Sequence, residues 1–219
     1  MGIVAWATLL IFATSYASSD HNPRELSWQD LVPPAVKFDN PFRRMKEDEL
    51  NDFSNVLIMR RLLAEKSEIM NKERIAELKS LEDKLTKSGM NIEFLIAESE
   101  RVLEAQRVQA ESVVGNLDGE TIRMPGYVLP LAFDGTNVKE FLLVPYVGAC
   151  IHTPPPPANQ IVHVKSEEGF ASEGLFQAVW VSGRMSAVPT KQSLYMVDGS
   201  SDISVGYGLQ ASSVEPYSN

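Results

Sequence analysis

The sequence predicts an α+β protein in which an N-terminal helical hairpin or three-helix segment leads into a small antiparallel β-barrel, with an OB-like barrel as one form it could take. Three observations predict it. Residues 46–114 contain no proline and one glycine, and charges of both signs run through them, as a solvated helical region requires. From Gly119 the apolar spacing shortens from the helical repeat to strict alternation. Asp134-Gly135, Glu168-Gly169 and Asp198-Gly199 then punctuate the apolar runs, as turns do between short strands.

The elements follow in order. Residues 1–17 carry no charged side chain, are apolar from Ile3 to Phe12 and end in Ser15-Tyr16-Ala17, the small-x-small pattern of a signal peptide cleaved near Ala17. That apolar core is shorter than the roughly 20 residues a spanning helix needs, so no membrane segment is expected after cleavage. Residues 18–45, rich in Pro, Asp and Asn, read as an extended arm pinned to the body by Trp28, Leu31, Val32 and Phe38. Ser27 is positioned to cap one helical turn that Pro33-Pro34 stops.

Within residues 46–114, a first helix is predicted over 49–63, with Leu50, Phe53, Val56, Leu57 and Leu63 facing inward. Ile75, Leu78, Leu81 and Leu85 space a second, which Ser88-Gly89 ends. Asn91 caps a third, whose stripe is Ile92, Leu95, Ile96, Val102, Leu103, Ala110 and Val113. An antiparallel hairpin or three-helix packing is the economical arrangement. Six strands are then predicted, over 121–133, 138–146, 160–165, 175–185, 193–197 and 203–209, so that residues 119–217 form the barrel domain.

Composition excludes some functions. With 219 residues, 44% of them hydrophobic and 22% charged, the chain builds one ordinary core with an appendage. A net charge of -9 is wrong for binding nucleic acid through its phosphates, and wrong for docking on anionic lipid.

Chemistry concentrates in FLLVPYVGACIHTPPPPANQIVHV, residues 141–164, which hold the only cysteine and two of the three histidines. On a strand, Cys150 and His152 point to one face, and register decides whether His163 joins them. Pro154, Pro155, Pro156 and Pro157 favour a polyproline II rod of about 3.1 Å per residue. Asn159 and Gln160 follow it with amide donors and acceptors, and Tyr146 precedes it.

This stretch, with GETIRMPGYVLPLAF before it and SWQDLVPP and FDNPF upstream, resembles the signature FLLVPYxGACIHxPPPPxNQIVxV of a bacterial secreted family known only as a domain of unknown function. The resemblance implies a periplasmic protein of the gram-negative envelope. It also implies a gene often found beside an ABC transporter of the lipoprotein-release or macrolide-export type, and in some bacteria within a zinc-responsive cluster.

Two functions therefore compete. The preferred one is a noncatalytic periplasmic accessory protein that presents Tyr146, Pro154 to Pro157, Asn159 and Gln160 to the periplasmic part of an ABC transporter or to another envelope protein. A rigid rod loses little entropy on binding, which places recognition there. The alternative is a zinc or copper carrier or sensor through Cys150, His152 and His163, with Met124, Met185 or Met196 as a further copper ligand. The reading against that alternative packs Cys150 in the barrel and gives the histidines to backbone or solvent. An enzyme is disfavoured: there is no GxSxG, HExxH, phosphate loop or dinucleotide fingerprint, and Cys150 and His152 would point in parallel.

Overall fold

The computed structural model describes residues 22–35, 37–149, 155–172, 174–196 and 199–217. The predicted leader, 1–17, lies outside them.

The arm is held by backbone and by one aromatic. Strand β1 (Arg24–Glu25) pairs in parallel with Ile122 and Arg123 of the barrel, and a 3₁₀ turn at Trp28–Leu31 follows. The Asp30 carboxylate accepts both the N–H and the O–H of Ser27, closing the turn as the capping pattern requires. Trp28 packs over Gly126, where an added Cβ would lie 3.0 Å from its ring and 2.6 Å from Leu143. Glycine there lets the indole reach the sheet.

Three helices come next, α1 (Glu47–Ala64), α2 (Lys72–Lys87) and α3 (Ile92–Glu111). Asn71 and Asn91 cap α2 and α3 by accepting the N–H groups of Arg74 and Phe94. Gly89, at φ +85°, terminates α2 in the left-handed region that other residues avoid. The helices share a small core of Phe53, Val56 and Met59 with Leu78, Leu85, Ile92 and Leu95. Arg60 joins all three, bonding Glu82 on α2 and Glu93 on α3, each at 2.6 Å. Three residues expected on the inner stripes, Leu63, Ile75 and Leu103, are instead exposed. Leu103 lies in the half of α3 that leaves the helical core and runs toward the barrel, so its face has no helix opposite it.

The barrel consists of β2 (Thr121–Asp134), β3 (Asn137–Val144), β4 (Val162–Ala171), β5 (Ala178–Ser186) and the last strand, reached after the hairpin of β6 (Thr190–Met196) and β7 (Gly199–Val205). That last strand is β8 (Tyr207–Pro216). The order β2-β3-β4-β8-β5 closes through pairing of β5 with β2, so five strands complete the ring. Closure removes sheet edges. This is the order of an OB-like barrel, and it corrects a wholly antiparallel sheet in one respect: β4 and β8 run parallel, from Val162↔Tyr207 to Ser166↔Ala211. A crossover makes this parallel pair. The chain visits β5 and the β6-β7 hairpin before returning between β4 and β5.

Two strand boundaries also differ from the sequence reading. Glu168-Gly169 does not end β4 but bulges it, since pairing jumps from Phe170 opposite Val138 to Lys165 opposite Glu140. The run 203–209 is two strands, broken at Gly206, whose N–H donates to Ala158 O at 2.7 Å. A Cβ on Gly206 would lie 2.8 Å from that same oxygen, so only glycine passes there.

The barrel interior is filled by Ile122, Met124, Phe141, Val164, Val181 and Met185 among others, which makes Met124 and Met185 core residues. A second cluster lies against it, in which Leu129, Leu142 and Val144 pack with Ile203 and Val205 of the hairpin. The fully buried Tyr207 joins arm, helices and barrel: its O–H donates to Leu31 O at 2.7 Å and its oxygen accepts the Val114 N–H at 2.6 Å. Burial raises its pKa above 10.0 and keeps the phenol neutral.

Tyr207→Phe should leave both backbone groups unpaired and cost roughly 2–6 kcal/mol, from about 1–3 for each buried group. Urea unfolding checks this, and a loss below about 0.5 kcal/mol would contradict the tie.

Candidate functional site

Two places gather the residues singled out in the sequence. The first is the joint between arm, α3 and the proline-rich connector. Of the four prolines, Pro155 and Pro157 are exposed and Pro156 is buried, while Pro154 lies outside the described residues. Tyr146, ahead of them, is 44% exposed beside the more exposed Val147.

After the prolines the chain enters a 3₁₀ turn at Ala158–Gln160, and both amides turn inward. Asn159, 2% exposed, donates to the carbonyls of Gln109 (2.8 Å) and Ser112 (3.1 Å), meeting the open C-terminal end of α3. Gln160 donates to Trp28 O at 2.8 Å. Gln109 in turn donates to Pro33 O at 2.8 Å. These amides therefore set the geometry of the joint, and their donors already have partners within the chain.

Above them lies a cleft of about 600 Å³, walled by Val32, Ala35 and Phe38 of the arm, by Ala105, Val108 and Ala110 of α3, and by Pro157. Its walls are apolar. Arg101 fixes the Phe38 side, with its guanidinium 5.3 Å from the ring centroid and its Nη2 donating to Asp39 O at 2.6 Å.

The second place is His163, on β4 and 8% exposed. Its Nε2 lies 2.6 Å from Glu140 Oε1, and Lys165 Nζ lies 3.6 Å from the same oxygen. A carboxylate only accepts, so Nε2 carries the hydrogen and Nδ1 keeps its lone pair. Burial lowers the His163 pKa below 6.5, partly offset by Glu140 and reinforced by Lys165. The ring is thus a neutral, oriented base. Cys150 and His152, the other proposed metal ligands, lie outside the described residues. Among the described residues no group of three or more His, Cys, Asp or Glu side chains gathers.

Glu140 was not singled out in the sequence. Its place in VKEFLLV marks it as outward-facing, but its partner stands 23 positions away and only sheet register joins them. Val32, Ala35 and Val108 were likewise missed as cleft walls, because arm and α3 meet only in the folded chain.

The depressed His163 pKa makes a pH prediction. The unfolded chain binds the proton more readily, so this contribution to stability is present above pH 6.5 and is lost as pH falls through the folded value. The melting temperature of the wild type should drop more between pH 7.5 and pH 5 than that of His163→Gln. Parallel curves would refute the shift.

The family described as "Protein of unknown function (DUF3299)" matches residues 28–216. A crystal structure of a DUF3299 family protein from Pseudomonas aeruginosa PAO1 is 29% identical, over 90% of this chain and 97% of that one, with a TM-score of 0.47. No curated protein matches the chain.

Proposed function

From the premise that the chain belongs to the DUF3299 family, we propose that it is a noncatalytic periplasmic accessory protein that binds an apolar segment of an envelope partner, the periplasmic part of an ABC transporter being the first candidate. The apolar leader and the secreted-family signature support the compartment and the partner. The cleft at the proline-rich joint carries the recognition. Its volume of about 600 Å³ lies within the ~300–1,000 Å³ range of ligand sites. The amide donors of Gln109, Asn159 and Gln160 are bonded to the chain's own carbonyls, so an apolar side chain enters without breaking a hydrogen bond and gains by leaving water. Pro157 on the rim keeps that wall stiff, which limits the entropy lost on binding.

Ala105→Trp tests the site by filling the cleft. Titrating the purified periplasmic domain of an ABC transporter of the lipoprotein-release or macrolide-export type from the same bacterium should give binding to the wild type and at least a tenfold loss with Ala105→Trp, at an unchanged melting temperature. Equal affinity of the two proteins, or none by the wild type, would refute the proposal. Mass spectrometry of periplasmic protein should also show a mature terminus near Ser18, whereas full-length chain in the cytoplasm would remove the compartment.

One observation favours the zinc or copper reading. Metal-bound histidines commonly give their other ring N–H to a carboxylate, and Glu140 holds His163 in that way. With His163 in that orientation, Cys150 and His152 are the residues that would complete the set. Calorimetry with zinc and with copper(I) under reducing conditions should then show binding tighter than micromolar, sharply weakened by Cys150→Ser because a hydroxyl replaces a soft thiolate poorly. Absence of such binding by the wild type would end this reading.

A further inference from the structure

His163, whose Nδ1 Glu140 leaves free, lines a groove that the apolar-cleft reading does not use. Nδ1 has no hydrogen-bond partner among the described residues. The His163 side chain keeps 8% of its surface exposed where it lines the groove. The opening is a groove of about 440 Å³ on the outer face of the barrel, across β4, β8 and β5.

Register explains its shape. His163 stands opposite Gly208, and Gly208 stands opposite Ser186, so the middle strand contributes no side chain between the two. In the next row Lys165, Gln210 and Arg184 align in the same way. A Cβ on Gly208 would meet Ser186 Cβ at 3.7 Å and His163 O at 4.0 Å, ordinary contact distances, so the floor is open without being strained.

The charges in the groove are unequal in their commitments. Glu140 is engaged by both His163 and Lys165. Asp118, also on the groove wall, keeps its charge while its Oδ1 accepts the Ala187 N–H at 3.0 Å, and no ion pair joins it to Arg184 among the described residues. Arg184 lies with its Nη2 3.5 Å from where a Gly119 Cβ would be, and it has no ion pair among the described residues. Arg184 is thus an exposed cation without an ion pair among the described residues, beside the lone pair of Nδ1, the Ser186 hydroxyl and the Gln210 amide, which suit hydroxyl groups.

We propose that this groove binds a small polyhydroxylated anion, a sugar acid of one ring, with its carboxylate on Arg184 and a hydroxyl donating to His163 Nδ1. The size suits one ring, since about 440 Å³ is near the low end of ligand sites. The site is independent of the apolar cleft. It does claim the lone pair that the metal reading also uses, so the measurement is made in a chelator.

Calorimetry on the mature chain in EDTA, with glucuronate, glucose and acetate as probes, decides it. Glucuronate should bind with a Kd below about 1 mM, while glucose, lacking the charge, and acetate, lacking the hydroxyls, should each bind at least tenfold more weakly. Arg184→Gln, at an exposed position, should weaken glucuronate tenfold or more, and Gly208→Val should abolish binding by filling the floor. Melting curves identify any variant that fails to fold, and the Arg184 result stands without the Gly208 one. Equal binding of glucose or acetate, an undiminished Arg184→Gln, or no heat with glucuronate at millimolar concentration would overturn the proposal.

Discussion

The buried phenol of Tyr207 is the point on which three otherwise separate pieces depend. Its hydroxyl satisfies a carbonyl of the arm and an N–H just beyond α3, while its ring is part of the barrel core. The Leu31 carbonyl stands at the open end of the 3₁₀ turn and the Val114 N–H outside any helix or ladder, and each would be costly to bury unpaired. Asn159 and Gln160 extend the same joint on the neighbouring turn, to the end of α3 and to Trp28. Arm, α3 and barrel are thus tied by hydrogen bonds to backbone carbonyls and one N–H, groups that every substitution of the local side chains leaves in place.

The glycines near this joint serve close approach. Gly206 lets the chain pass against Ala158, which holds the turn carrying Asn159 and Gln160, and Gly126 admits Trp28. The helical region is tied more loosely. Its core is small, and most of its ion pairs, such as those of Arg61 and Arg107, are exposed and contribute little beyond solubility. Arg60 differs because it bridges both neighbouring helices from a partly buried position.

The two candidate surfaces follow from opposite physical conditions. In the cleft, the polar donors have been spent inside the chain, and what remains for a partner is apolar wall. In the groove, closure of the barrel brings a charged row and a glycine gap side by side, and one nitrogen and one guanidinium keep unused bonding capacity. The acidic net charge, read alone, argued against binding nucleic acid or anionic lipid. Arg184, without an ion pair among the described residues, gives that face a local positive charge that net charge averages away.

The sequence by itself determined what short-range chemistry controls. Asn91 and Gly89 set helix ends, Ser27 the turn of the arm, and Asp134-Gly135 the first hairpin, because each acts within a few residues of itself. The separation of a helical segment from a barrel was legible for the same reason, as a change in apolar period. Tertiary structure alone decided the break at Gly206, the bulge through Glu168-Gly169, the exposure of Leu103 and the inward turn of Asn159 and Gln160. It also decided the pairing of His163 with Glu140, 23 residues apart, and of Tyr207 with Leu31, 176 residues apart. Periodicity says which face a residue takes, but its partner is fixed by strand order and register, and those depend on how the whole chain closes.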